Sequence, residues 1–348
     1  MSCSKKQKLE DGDVKEEVKN YYGKKLHKTE DLQSNACAFS KSQKVVPQII
    51  RDCIKLCHED VVSRYYGCGL NFPECLEGCR VLDLGCGAGR DCFITAKLVG
   101  PKGHVTGIDM TQDLLDIANE YSKYHAEKFG YTKPNTDFIL GDIEELAAAG
   151  VKKNAYDLII SNCVICLTTN KKAVFEGAYR ALKDGGELYF SDIYADRQRD
   201  TSKCDKALWG EGFCGALCWR ELVDFCKDIG FSGPYLVTGH EMFPSNEEMK
   251  EQIGETRFVS GTYRMFKTPT TEDTGNTFQA TYKGTIEGLP NEYKFDIYNT
   301  FEKDKAHPIT PNLAAILRQS RFSKHFDIGP YSGRDAYAIA DPFTGLGL

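Results

Sequence analysis

No uninterrupted apolar run approaches the ~20 residues of a membrane-spanning helix, and the opening residues, MSCSKKQKLEDGD, contain no apolar core of a secretory signal. Neither a membrane nor a secretory route is expected; the cytoplasm is. Positive charge is not in excess either: 44 Lys and Arg stand against 50 Asp and Glu, a formal net charge of −6. Without an overall basic field, nucleic acid and anionic lipid are not expected partners. No internal repeat or heptad seam recurs, which sets aside solenoids and coiled coils. With 41% hydrophobic residues over 348 positions, the chain has the make-up of a core-forming protein of about two domains. Its default partner is a small molecule.

Cysteine is abundant, at 15 residues. The number is odd and too low for a disulfide scaffold, so a reducing compartment with mostly free thiols is expected. A single Cys usually packs as a small hydrophobe. Cys53 and Cys57 share a face of a helical pattern at about Val46 to Leu56, but no His/Cys cluster nearby completes a tetrahedral metal set, so core packing is the expectation. A charged, weakly amphipathic stretch, Val14 to Leu26, precedes them, followed by a polar loop that holds Cys37. In Tyr65-Tyr66-Gly67-Cys68-Gly69 two glycines bracket a cysteine in a turn.

From Arg80 strands and helices alternate. RVLDLGCGAGRD reads as strand, Gly-rich turn and helix start; HVTGIDM, TDFILGD, YDLIISNCVI and GELYFSDI supply four more strands. Asp113 to Phe129, Lys171 to Leu182 and ELVDFCKDIG read as helices. This succession predicts an α/β fold, a mostly parallel Rossmann-like sheet with helices on both faces. RFVSGTYRMFK near residue 257 suits a late strand, and the tail beyond about Lys267 reads as a smaller mixed or β-rich region.

Gly85, Gly87 and Gly89 follow the first strand at its carboxyl edge, where open α/β sheets bind ligands. The G-x-G-x-G spacing is shorter than that of dinucleotide folds. Asp83 at the strand's end suits an amino-acid ammonium, so S-adenosylmethionine is preferred over a nicotinamide cofactor. Asp109, 20 residues past the last glycine, ends the second strand and suits ribose hydroxyls; Asp142 and Ile143 end the third and suit adenine. Tyr65, Met110 and Asn162 complete the expected cofactor-binding set. Cys163 follows the fourth strand, where its thiol would face the sulfonium methyl. A thiolate is a soft ligand for a thiophilic acceptor and a poor base for hydroxyl chemistry. Cys166, in C-V-I-C, lacks a redox pair's helix-start setting and is read as structural.

The strings RYYGCG, LDLGCGAGRDC, GHVTGIDMT, SNCVICL, GGELYFSDIY and ALWGEGFCGAL resemble the arsenite methyltransferases, a class I methyltransferase family, from about residue 20 to about 267. The resemblance implies transfer of methyl groups from S-adenosylmethionine to trivalent arsenic held by cysteine thiolates, giving mono- and dimethylated arsenicals in detoxification. It implies arsenite and methylarsenite as substrates, thioredoxin or glutathione as reductant, and Cys37, Cys68, Cys163 and Cys214 as catalytic thiols, with Cys68, Cys163 and Cys214 holding arsenic. The fourth is a departure: the family pattern is Trp-Gly-Glu-Cys, whereas here Trp209-Gly210-Glu211 is followed by Gly212, and Cys214 arrives two residues late. Electrons for returning arsenic to the trivalent state would come through a pair such as Cys37 and Cys68. The expected division is an N-terminal segment with substrate cysteines (1–72), a methyltransferase domain (73–268) with an arsenic-binding insertion at about 193–220, and a C-terminal domain (269–348), in a monomer. Alternatives are a methyltransferase for a quinone, sterol or amine, and a non-catalytic metalloid-binding thiol protein.

Overall fold

The computed structural model describes residues 11–26, 46–200, 209–244, 247–268, 277–333 and 340–348. Five strands run parallel: β1 (Arg80–Leu84), β2 (His104–Asp109), β3 (Thr136–Leu140), β4 (Tyr156–Asn162) and β5 (Leu182–Ala195). A short strand, β6 (Leu217–Cys218), pairs with the end of β5. Two antiparallel strands, β7 (Ser232–Met242) and β8 (Phe258–Phe266), extend the far edge, giving the order β3-β2-β1-β4-β5-β8-β7. The sheet is thus mostly parallel, as expected, with an antiparallel edge. β7 escaped the sequence reading because Gly233, Pro234 and Gly239 interrupt its alternation.

The helices α2 (Gln48–Leu56), α4 (Arg90–Val99), α5 (Gln112–Phe129) and α6 (Lys171–Ala181) fall within a residue or two of their expected places where the sequence marked them, whereas α1 (Asp11–Asn20) starts before the expected Val14 and gives way to a π-helical turn, Tyr21–Lys25, and the short α3 (Glu59–Val62) carried no mark. The strands read as near-continuous apolar runs because both faces are covered: Val81, Leu82 and Leu84 of β1 are buried, as are Leu158, Ile159 and Ile160 of β4. Cys53 is buried beside Ile50 and Ile94, the packing role expected of it.

Beyond β8, β9 (Thr277–Tyr282) lies between two antiparallel neighbours, Ala306–Ile309 and Phe326–Tyr331, next to a two-stranded ribbon and the helix Pro311–Gln319. Its aromatic core includes Tyr235 and Phe266 of the main sheet. At this junction the buried Glu187 of β5 pairs with Arg264 of β8 at 2.7 Å and with Arg321 at 2.5 Å. Arg264 also donates to the Tyr293 hydroxyl and the Phe295 carbonyl. Among the described residues no helix is long and apolar enough to cross a membrane.

Candidate functional site

A cleft of about 1020 Å³ opens along the carboxyl ends of β1 to β4. Tyr65, Asp83, Gly85, Gly87, Asp109, Met110, Asp142, Ile143 and Asn162 all line it, as does Cys163. Gly89 does not. A Cβ there would meet Ala118, Phe138 and Phe93, each at 3.1 Å, so this glycine, with φ of 85° at the start of α4, serves helix–sheet packing rather than the cleft. Gly85 has a structural reason too: a Cβ would come within 2.3 Å of Val164. Its bare backbone lets the turn after β4, and with it Cys163, pack against the glycine loop.

The cleft is anionic. Asp83, Asp91 and Asp109 are buried along it, and burial raises the pKa of each above the ordinary carboxylate range. For Asp83 the neighbouring charge of Asp91 adds to that rise, and the Cys92 thiol donating at 3.1 Å opposes it. Asp91 is paired with Arg90 at 3.3 Å, and the Arg90 guanidinium lies 3.6 Å above the Tyr65 ring. Asp109 is held in place by the Gly87 and Thr111 amides, which donate to its two oxygens at 2.9 and 2.8 Å. Carboxylates whose charge is disfavoured by burial gain from a cationic ligand, as a sulfonium with an ammonium tail is. A Cβ on Gly87 would meet nothing within 4 Å, leaving that backbone open for close approach by a ligand.

Lys15 of α1 reaches over the third strand's end, pairing with Asp142 at 2.7 Å and Glu144 at 2.9 Å. Two residues on from α1, Tyr22 donates to the Gly210 carbonyl at 2.8 Å, and Tyr21 donates to the Glu211 carboxylate at 2.5 Å. One N-terminal element thus touches both the cofactor end and the 209–216 loop.

Next to the cleft lies a sulfur-rich apolar cluster containing Cys68, Cys163, Cys166, Cys214, Leu167, Ile193 and Phe213. Cys68 reaches it because Gly67 and Gly69 allow close approach: side chains there would strike Asn162 and Ser191. Asn162 fixes the turn, its carbonyl oxygen accepting from the Cys68 and Gly69 amides at 2.9 and 3.1 Å. Its amide nitrogen donates to Tyr65 and to Asp91, each at 2.9 Å. Cys163 has φ of 60°, a conformation costly for a side chain with a Cβ and common where function needs it.

The tightest group is one the sequence did not offer. The ligand atoms of Cys163, Cys166 and Asp192 all lie within 4.8 Å of one another, and all three residues are buried. Asp192 accepts from the Cys166 amide at 2.9 Å; burial raises its pKa, opposed by the Cys166 thiol hydrogen bond. Cys68 belongs to the wider cluster but not to this group. Cys214 is disulfide-bonded. Every other described cysteine lacks a disulfide, and Cys37 lies outside the described residues. Cys68, one half of the suggested Cys37–Cys68 pair, is a thiol here. Asp91, Asp192, Lys15 and Tyr22 also went unmarked. Asp192 is an acid late in an apolar strand, as Asp83 and Asp109 are, the signal by which it was accessible; Lys15 carried none.

A family model described as a methyltransferase domain matches residues 76–249, and one described as the arsenite methyltransferase C-terminal domain matches residues 275–344. Arsenite methyltransferase of Rattus norvegicus is 47% identical over 339 residues, spanning 96% of this chain and 91% of the relative. That of Homo sapiens is 45% identical over 323 residues, spanning 92% and 85%. The crystal structure of an arsenic(III) S-adenosylmethionine methyltransferase from Chlamydomonas reinhardtii superimposes with a TM-score of 0.78 at 39% identity, covering 84% of this chain and all of that one, 100%.

Proposed function

Because the chain belongs to the arsenite methyltransferase family, we propose that its two adjoining sites divide one reaction: the anionic cleft holds the methyl donor and the sulfur cluster holds the acceptor. The enzyme methylates trivalent arsenic using S-adenosylmethionine. The observation that carries the division is Cys163, which belongs both to the cleft lining and to the sulfur cluster.

S-adenosylmethionine, when bound, supplies an electrophilic methyl group for the arsenic lone pair. Asp83 and the Gly85–Gly87 turn would hold its amino-acid end, Asp109 its ribose, and Asp142 with Ile143 its base, with Tyr65, Met110 and Asn162 around it. Arsenite, arriving as its hydroxide, exchanges onto protein thiols. Each exchange forms a sulfur–arsenic bond and breaks an arsenic–oxygen bond, and the thiol proton leaves with hydroxide as water. Cys68 and Cys163 are two of those ligands. The protein's contribution is placement and exclusion of water, and positioning alone supplies up to about 7–11 kcal/mol in well-oriented reactions. Return of methylated arsenic to the trivalent state takes two electrons from a thiol pair, which becomes a disulfide. Glutathione or thioredoxin would then reduce that disulfide. The disulfide at Cys214 supports a thiol of the sulfur cluster that oxidises, and Cys37 belongs to this chemistry. We place a monomer in the cytosol, where thiols stay reduced, with the chain divided near residues 73 and 268.

Cys163→Ser tests the division. Methyl transfer to arsenite is expected to fall at least ~100-fold, the scale for loss of a transition-state contact worth about 2.7 kcal/mol. S-adenosylmethionine affinity by calorimetry should stay within twofold. Methylation at the wild-type rate would overturn the assignment.

A further inference from the structure

Resting on the reading that protein sulfur holds arsenic, we propose that Cys166 is the third sulfur ligand, beside Cys68 and Cys163, in the place a side chain at Gly212 would otherwise take. A Cβ built on Gly212 lies 3.0 Å from the Cys166 Sγ. A side chain at residue 212 and the Cys166 thiol would therefore contend for the same space. With glycine at 212 that space belongs to Cys166. Its sulfur is also within 4.8 Å of the Cys163 sulfur, close enough for modest side-chain rotation to let both reach one centre.

Cys214 is placed differently. It shares the apolar cluster but not the close group of ligand atoms, and its sulfur is engaged in a disulfide. Moving it two residues back along the loop would mean moving Gly215, which lies against the backbone of Cys166 so closely that a Cβ there would come within 1.7 Å of the Cys166 carbonyl oxygen. The loop is further tied by Arg199 donating to the Phe213 carbonyl at 2.7 Å and by Trp209 donating to the Leu167 carbonyl at 3.1 Å.

Asp192 completes the group as a positioning residue. It anchors the Cys166 amide, while its hard oxygens are poor competitors of thiolates for a soft centre. Binding at Cys166 follows the same exchange as at the other thiols: the S–H and As–O bonds break, the S–As bond forms, and water leaves. No oxidation accompanies it.

The test is the number of sulfur neighbours around arsenic, read by X-ray absorption on the full-length protein loaded with arsenite and reduced with a phosphine, so that no added thiol can coordinate. Wild type should show three. Cys166→Ser should show two sulfurs and one oxygen, with arsenite affinity reduced at least tenfold and S-adenosylmethionine affinity unchanged. Cys166→Ala, which removes the oxygen as well, should also show two sulfurs, guarding against an effect of serine itself. Cys214→Ser should keep three sulfurs and arsenite affinity within twofold. Three sulfurs in either Cys166 variant, or the loss of one in Cys214→Ser, would overturn the proposal. Absence of any sulfur neighbour in wild type would instead defeat the underlying reading of arsenic on protein thiols.

Discussion

The cofactor cleft and the sulfur cluster adjoin at Cys163 but are built on different principles. The cleft is made by successive strand ends of one sheet, so its carboxylates at residues 83, 109 and 142 are placed by the fold itself. The thiols of the sulfur cluster come from the 65–69 turn, the turn after β4 and the 209–216 loop, none of which is regular sheet. The first can therefore persist with little change while the second is rewired cysteine by cysteine. The placement of Gly212 against Cys166 belongs to this second kind of construction.

Asn162 is where that separation should break down. Its side chain holds the Cys68 turn on one side and Asp91 of the cleft on the other. Asn162→Ala strands several buried polar groups at about 1–3 kcal/mol each. We expect kcat/KM for methyl transfer to fall by about a thousandfold or more, with arsenite binding and S-adenosylmethionine binding both weakened in direct titrations. Loss of only one would mean that the two sites are less coupled than this hydrogen-bond pattern requires.

Asp109→Ala should act on one side alone. Hydrogen bonds to charged groups contribute about 1.5–3 kcal/mol, so S-adenosylmethionine affinity should fall about ten- to a hundredfold while arsenite affinity is unchanged. Equal loss of both would point to unfolding of the glycine loop, since the Gly87 and Thr111 amides depend on this carboxylate.

A pH titration separates the sites more gently. The folded-state pKa values of Asp83, Asp91 and Asp109 are raised by burial, so these groups take up protons at higher pH than exposed carboxylates do, near 4. Protonation removes the charge that a cationic ligand needs. S-adenosylmethionine affinity should therefore weaken as pH falls, starting above the ordinary carboxylate range, and recover as pH rises. An affinity independent of pH down to that range would show that the carboxylates are not what binds the donor.

This contrast also explains how much was legible in the sequence. Glycine spacing, strand-end acids and helix periodicity are local patterns, and they located the sheet, the cleft and all but Gly89 of its expected residues. Gly89 has the same spacing signal but faces Phe93 and Ala118 instead of the cleft, a distinction made only by how α4 packs. Cys166 reads as an ordinary core cysteine in C-V-I-C. Its meaning depends on a glycine 46 residues later that the fold sets against it, and no local pattern carries that pairing. The antiparallel edge of β7 and β8 was only half visible, because Pro234 and two glycines obscure β7.

The smallest expected effect comes from Lys15, which ties α1 to the third strand's end. Its pairs with Asp142 and Glu144 are part-buried, with Lys15 itself 30% exposed and Glu144 only 8%. Glu144 is the better-shielded partner, so Lys15 can remain on Glu144 when Asp142 turns to the adenine end of the ligand. Lys15→Ala then removes a tie across the cleft at a cost of about 1 kcal/mol or less. S-adenosylmethionine should bind two- to fivefold more weakly, mostly through faster dissociation in stopped-flow displacement, with arsenite affinity unmoved. Tighter binding in the variant would mean that Lys15 competes with the ligand for Asp142, and that α1 guards the cleft rather than closing it.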